Sequence, residues 1–252
     1  FEGGADGNVP MVGVAALGRQ LGVIAARFYD DPSRDMMVIG ITGTNGKTSC
    51  SHWLAQLWQL LSGTAGVVGT LGCGLIDGDD RHETGLTTPD VLSNHRLLAA
   101  MLQQGAQMVA MEVSSHALEQ GRIDGISIDT AIFTNLSRDH LDYHGDMQSY
   151  AAAKQKLFER EELKLAVINC DDGFGKALCD RVHRGSSKLL TYGVSDTTAD
   201  LGVERFEVTG RGIDASIRTP WGRGALQSRF PGGYNLLNVL AVVATLCGHG
   251  MS

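Results

Sequence analysis

The chain has 252 residues, 43% hydrophobic and 19% charged, and its 28 acidic against 21 basic side chains give a formal charge of −7. That length supports a substantial buried core, in one large domain or one and a half ordinary ones. The acidic balance, with no stripe of Lys and Arg, argues against a nucleic-acid partner, so a polyanionic substrate would have to meet positive charge gathered locally.

In chain order, an amphipathic run from Val12 to Phe28 is broken at Asp30-Asp31-Pro32-Ser33, where proline and turn formers disfavour further helix. A domain boundary is expected there, dividing 1–34 from 35–252. From Met36 onward, short runs rich in Val, Ile and Ala alternate with longer segments of helical period, the pattern of βαβ units around a buried parallel sheet. Strands are predicted over Met36–Thr42, Gly66–Leu71, Gln107–Val113, Thr130–Asn135, Leu165–Asn169 and Lys188–Tyr192. Between them, Trp53, Leu54, Leu57, Trp58, Leu60 and Leu61 give one apolar helix face, and Val91, Leu98, Met101 and Leu102 another. Alternation through Ile213, Ala215 and Ile217, with a turn at Pro220-Trp221-Gly222, predicts a small antiparallel section within Phe206–Ser228. The fold class is therefore α/β, mostly parallel, with flanking helices.

The longest apolar stretch, Leu236 to Cys247, is too short to span a bilayer, and membrane insertion is not expected. Five cysteines with no C-x-x-C spacing sit in apolar surroundings, which suits a reducing, cytoplasmic compartment. The chain opens on Phe1 and stops just after a helical segment, so it reads as a piece of a longer protein.

The strongest chemical signal is Thr42-Gly43-Thr44-Asn45-Gly46-Lys47-Thr48, between the first strong strand and an amphipathic helix. Glycines allow backbone N–H groups to converge on phosphate, the helix N-terminus adds partial positive charge, Lys47 reaches the β/γ-phosphates and the Thr48 hydroxyl suits Mg²⁺. Where a standard Walker A loop has its first glycine, this chain has Ile41. Three more polar segments follow predicted strands, where open α/β sheets place ligands. They are Met111-Glu112-Val113-Ser114-Ser115-His116, then Thr134 to His144, and then Tyr150-Ala151-Ala152-Ala153-Lys154. Glu112 at a strand end can offer a hard oxygen to Mg²⁺, although a salt bridge would equally explain a lone strand-terminal carboxylate.

In this order TGTNGKT, MEVSSH, TNLSRDHLDYHGD, YAAAK, NCDD and GGYNLLN resemble the motifs of Mur ligases, over most of the chain. SSHALEQGR and SRDHLDYHGD are most similar to the tripeptide-forming branch. GTNGKT alone would also admit folylpolyglutamate and cyanophycin synthetases. The resemblance implies three domains: a uridine-nucleotide domain represented here by its tail, a nearly complete central ATPase domain, and a C-terminal amino-acid domain that this sequence lacks. It also implies ATP-dependent addition of a third amino acid, meso-diaminopimelate or L-lysine, to UDP-N-acetylmuramoyl-L-Ala-D-Glu through an acyl phosphate. The enzyme is expected to be a cytoplasmic monomer using ATP and Mg²⁺.

By similarity, Gly43, Thr44, Asn45, Gly46, Lys47 and Thr48 hold the nucleotide phosphates, and Asn235 and Asn238 lie near the adenine. Helix capping would also account for Asn235. Thr48, Glu112, His140 and a CO₂-derived carbamate on Lys154 serve the metals, so Lys47, Glu112, His140 and Lys154 are the implied catalytic set. Thr87, Thr88, Ser114, Gln120 and Arg122 are implied for the muramoyl dipeptide, with Arg122 suited to a bidentate carboxylate. A P-loop hydrolase or kinase would instead need a Walker B aspartate, where this chain has Glu112-Val113-Ser114-Ser115. A binding module without turnover would have no need of Lys47, Glu112, His140 and Lys154 together.

Overall fold

The structure is a computed structural model describing residues 13–78, 82–182, 185–230 and 232–251. The start of the 1–34 segment, including Val12, lies outside the described residues. Among the described residues ten strands form one sheet: β1 (Met37–Thr42), β2 (Ala65–Gly69), β3 (Gly72–Leu75), β4 (Met108–Glu112), β5 (Thr130–Phe133), β6 (Leu165–Asn169), β7 (Lys188–Gly193), β8 (Leu201–Thr209), β9 (Gly212–Thr219) and β10 (Gly222–Ser228). Their order is β10-β9-β8-β7-β6-β5-β1-β4-β2-β3. β1 pairs in parallel with both neighbours, Ile41 lying opposite Glu112 of β4 and Ile132 of β5.

Alternation along these strands divides the core in two. Val38, Val109, Met111, Ala131 and Ile168 pack on one face with Leu98 and Met101 of α3 (Val91–Gln103) and Leu178 of α7 (Gly173–Val182). Ile39, Ile41, Val67, Ile132 and Val167 pack on the other with Leu54 and Trp58 of α2 (Lys47–Leu61) and Leu240 and Val242 of α8 (Gly233–Gly248). The predicted six-residue face is too wide: α2 packs on the sheet and α8 through Leu54 and Trp58, while Leu57, Leu60 and Leu61 are exposed. No helix among the described residues is long and apolar enough to cross a membrane.

Two strand readings need correction. The run predicted as one strand to Leu71 turns at Thr70-Leu71 and comes back as β3, antiparallel to β2. Gly72 and Gly74, both at positive φ, hid β3 by interrupting the apolar pattern. The antiparallel section is also longer than expected, its pairing beginning at Gly202, and β8, β9 and β10 form consecutive hairpins. Both hairpin turns use the same device: the Thr209 and Thr219 hydroxyls accept from the N–H two residues on and donate to the carbonyls of Gly212 and Gly222.

Before the sheet, α1 (Leu17–Phe28) lies on α3, with Gly22, Ala25 and Ala26 buried. Three short helices complete the site side of the molecule: α4 (Ser115–Glu119), α5 (Leu141–His144) and α6 (Met147–Gln155).

Candidate active site

The carboxyl ends of β1, β4 and β5 meet at one edge of the sheet, and every predicted polar segment is delivered there. The loop after β1 is held by the segment after β5. Asn135 Oδ1 accepts from Asn45 N–H at 2.9 Å while its Nδ2 donates to Asn45 O at 3.1 Å. The Thr134 hydroxyl donates to the same carbonyl at 2.6 Å, and Thr44 N–H donates to Asn135 O at 2.8 Å.

This arrangement changes the expectation for the loop. The N–H groups of Thr44 and Asn45 are engaged with Asn135, so not all of the loop amides converge on a ligand. The amides from Lys47 onward are the first turn of α2, where no intrahelical acceptor exists and the helix dipole is positive. Glycine is required by conformation and by space. Gly46 caps α2 at φ +88°, and a Cβ there would run into Asn238 Oδ1; one on Gly43 would run into the Thr134 hydroxyl.

Glu112 is fully buried and accepts from three hydroxyl or amide donors rather than from a basic side chain. Its Oε2 takes the Thr48 hydroxyl at 2.9 Å and the Thr70 hydroxyl at 3.2 Å, and its Oε1 takes Thr70 N–H at 3.0 Å. The salt-bridge alternative for this carboxylate therefore fails. Thr70 was not anticipated; its one sequence signal is a hydroxyl residue at the end of a predicted parallel strand. Its hydroxyl is also hydrogen-bonded to that of Thr87 at 3.1 Å, accepting there because its own proton goes to Glu112, and this joins the carboxylate to the loop expected to meet the acceptor.

On the opposite side two lysines converge on one carbonyl. Lys47 Nζ donates to Gly43 O and Thr44 O, both at 2.9 Å, and Lys154 Nζ donates to Gly43 O at 3.0 Å. Burial lowers the pKa of Lys47, opposed by the negative charge of Glu112 and then of Asp139. Burial, then the Lys47 charge, lowers that of Lys154 to about 7, with Asp139 opposing. The Lys154 ammonium lies 4.3 Å from the centroid of the Tyr150 ring, one turn earlier on α6, and Tyr150 shares a 3.2 Å hydrogen bond with the Thr44 hydroxyl. Tyr150, quoted in the sequence only as part of YAAAK, thus ties the lysine helix to the phosphate loop.

His140, at φ +51° before α5, is exposed beside Asp139, its ring 6.0 Å from that of Tyr150 and 5.0 Å from that of His116. Burial, then electrostatic repulsion from the neighbouring His140 ring, lowers the pKa of His116. The expected metal set accordingly lies in two parts, Thr48 hydrogen-bonded to Glu112 on one side and His140 with Lys154 around Tyr150 on the other. Among the described residues no group of three or more His, Cys, Asp or Glu is arranged to hold an ion by itself.

Asn238 is buried against Gly46, at the junction of α8 with α2. Asn235, half-buried, stands one turn earlier on α8, in its first turn, three residues after the N-cap Gly232. The expected acceptor residues form one connected rim. Thr88 donates to Glu112 O at 2.8 Å and accepts from Ser114 N–H at 3.0 Å, while Ser114 caps α4 by accepting from Ala117 N–H. Arg122 donates through Nη1 to Thr88 O at 2.9 Å and through Nε and Nη2 to Gln120 Oε1 at 2.9 and 2.6 Å. The bidentate partner of this guanidinium is thus an amide oxygen of its own turn, where a substrate carboxylate was expected.

Fold and site together define an α/β domain of the phosphate-loop class, with its polar groups at the carboxyl ends of the central parallel strands. The chain belongs to the Mur ligase family: the model of the Mur ligase middle domain matches residues 41–246. It is 48% identical over 245 residues to the UDP-N-acetylmuramoyl-L-alanyl-D-glutamate–2,6-diaminopimelate ligase of Pseudomonas aeruginosa, covering 96% of this chain and 49% of that one. It is 44% identical over 244 residues to the enzyme of the same name from Coxiella burnetii, covering 95% and 49% respectively. A solved structure of a ligase of that name superposes with a TM-score of 0.86 at 32% identity, over 96% of this chain and 51% of that chain. MurF of Acinetobacter baumannii, at 20% identity and a TM-score of 0.74, shares the fold. The chain spans about half the length of the curated relatives it matches.

Proposed function

We propose that this chain is the nucleotide-binding core of a cytoplasmic ATP-dependent ligase. Its reaction adds meso-diaminopimelate to UDP-N-acetylmuramoyl-L-Ala-D-Glu in peptidoglycan synthesis. In this reading 1–34 is the tail of a preceding uridine-nucleotide domain, 35–252 is the central domain, and a further domain completes the amino-acid site. The observation that carries it is the buried Glu112 bonded to the Thr48 hydroxyl, across the phosphate loop from Lys47 and Lys154. Diaminopimelate follows from the names of relatives 44–48% identical.

The terminal phosphoryl group of ATP passes to the D-Glu carboxylate, and the amine of the incoming amino acid then displaces phosphate from the acyl phosphate. Such transfer needs positioning and charge neutralisation more than covalent help. Lys47 leaves Gly43 O and Thr44 O to meet the β/γ-phosphates, and the first amides of α2 hold phosphate oxygens. Asn235 and Asn238 face the adenine; Thr87, Thr88, Ser114, Gln120 and Arg122 hold the muramoyl dipeptide.

The donors suit Mg²⁺: Thr48 and Glu112 are hard oxygens already paired, with phosphate and water left to complete the ligand shell. His140 and Lys154 would serve a second ion, Lys154 as a carbamate formed when its neutral amine adds CO₂ and releases a proton. The metal supplies neutralisation of phosphoryl charge. A Lys154 pKa of about 7 supports this by making the neutral amine available near neutral pH.

The test is phosphate release from ATP by the full-length ligase, read together with chromatographic detection of the UDP-muramoyl tripeptide. Both must require the dipeptide acceptor and the amino acid. Phosphate release indifferent to both would make the protein a hydrolase and refute the reading. Lys154→Ala should abolish turnover, with partial recovery in small carboxylic acids.

A further inference from the structure

α3 lies outside the phosphate loop and carries none of the residues assigned above, yet it presents two fully buried polar side chains in succession, Asn94 and His95. A buried amide in a helix interior is unfavourable unless its hydrogen bonds are made. Asn94 Nδ2 makes two, to Pro89 O at 3.0 Å and to Arg122 O at 2.8 Å. Carbonyl oxygens only accept, so the amide must turn its NH₂ toward them; its Oδ1, buried on the other side, has no partner. His95 grips the same turn two residues later, Nε2 lying 3.0 Å from Asp124 O, which can only accept.

The two carbonyls held by Asn94 belong to the two segments that carry the expected acceptor residues. Pro89 follows Thr87 and Thr88, and Arg122 is itself one of them. The ring is closed from the far side by Arg122 Nη1, which donates to Thr88 O. Asn94 from one side and Arg122 from the other therefore fix the separation of the threonine loop from the arginine turn, and Asn94 is the one of the two that lies outside the expected acceptor set.

We propose that Asn94 is a positioning residue for the acceptor: it acts through Thr88 and Arg122, setting affinity for a carboxylate-rich UDP-muramoyl peptide without touching it. The chemistry explains the residue type. Asp is of equal size but has no N–H to offer two carbonyls, and Leu matches the volume but bonds neither. The inference rests on the function proposed above.

The experiment compares wild type, Asn94→Asp and Asn94→Leu in the full-length ligase. It measures KM for UDP-N-acetylmuramoyl-L-Ala-D-Glu, KM for ATP, kcat, and hydrogen exchange of the segments 84–90 and 119–125 against β4. Expected is a rise in acceptor KM of roughly tenfold or more for loss of two buried hydrogen bonds, with ATP KM and kcat within about threefold. Exchange should quicken in the two segments and stay slow in β4. Acceptor KM unchanged in variants whose loops have loosened overturns the proposal. Equal losses in all kinetic constants, or global unfolding of both variants, likewise overturn it by making Asn94 a core residue. Failure of wild type itself to use this acceptor would instead refute the functional reading, so the two are told apart.

Discussion

Gly46→Ala tests whether the start of α2 is fixed by backbone conformation, by packing, or by both. Gly46 sits at φ +88°, ψ −10°, where an L residue costs about 1–2 kcal/mol. The added Cβ would also collide with Oδ1 of Asn238 and lie 3.2 Å from its Cγ. Asn238 is only 6% exposed, so its carboxamide yields only by repacking α8, a forced fit of the kind that costs about 1–3 kcal/mol. The sum is about 2–5 kcal/mol, a fall in melting temperature on the order of 10 °C for a chain of this size. Repeating Gly46→Ala in an Asn238→Ala background removes the collision and leaves the backbone term, so the cycle should return a coupling of about 1–3 kcal/mol. Denaturant unfolding of the four proteins measures it. Equal destabilisation in both backgrounds would refute the steric argument, and less than about 0.5 kcal/mol in either would refute the conformational one as well.

Asn135→Ala removes both amide links to Asn45 and should destabilise the fold by about 1–2 kcal/mol while weakening binding of a non-hydrolysable ATP analogue by about tenfold in calorimetry; unchanged affinity would mean the loop holds its own shape. Lys154 has a folded-state pKa of about 7 against about 10.4 when unfolded, so between those values the unfolded chain binds more protons and stability rises with pH. Lys154→Met lacks this slope, and its stability relative to wild type should therefore decline from pH 7 to pH 10 in denaturant titrations; parallel curves would contradict the shift. Lys47→Ala should leave stability within about 1 kcal/mol, since the two hydrogen bonds lost are to its own loop and burial already disfavours its charge. ATP turnover should fall by about 10²-fold or more, and turnover near wild type would remove Lys47 from the phosphate site.

The parallel half of the sheet was legible because β1, β4, β5 and β6 are buried on both faces and read as unbroken apolar runs. β3 was not, being four residues with two glycines. Phosphate-loop chemistry could be read from local spacing, since strand, loop, lysine and helix are contiguous. The partnerships that hold the loop could not. Asn135 reaches Asn45 across 90 positions and Thr70 reaches Glu112 across 42, and nothing in period or spacing marks an asparagine or threonine as facing one distant residue rather than water. Arg122 shows the same limit: the sequence indicated a residue suited to carboxylate but not that Gln120, two positions away, occupies its fork.

The connectivity of the sheet also orders events in time. β8, β9 and β10 are neighbours in sequence as well as in space, joined by two-residue turns, so their pairing closes very short loops. β1 is the opposite case, because Met37 must find Met108 and Ile39 must find Thr130 before it is held on either side. Hairpins of this kind form in microseconds, whereas long-range parallel pairing waits on the collapse of the segments between. The strand that leads into the phosphate loop is therefore expected among the last to be secured as the chain folds, because its pairing closes the longest loops named here. On that order the apolar residues of β1 would stay open to wrong partners after the hairpins at the far end of the sheet had closed.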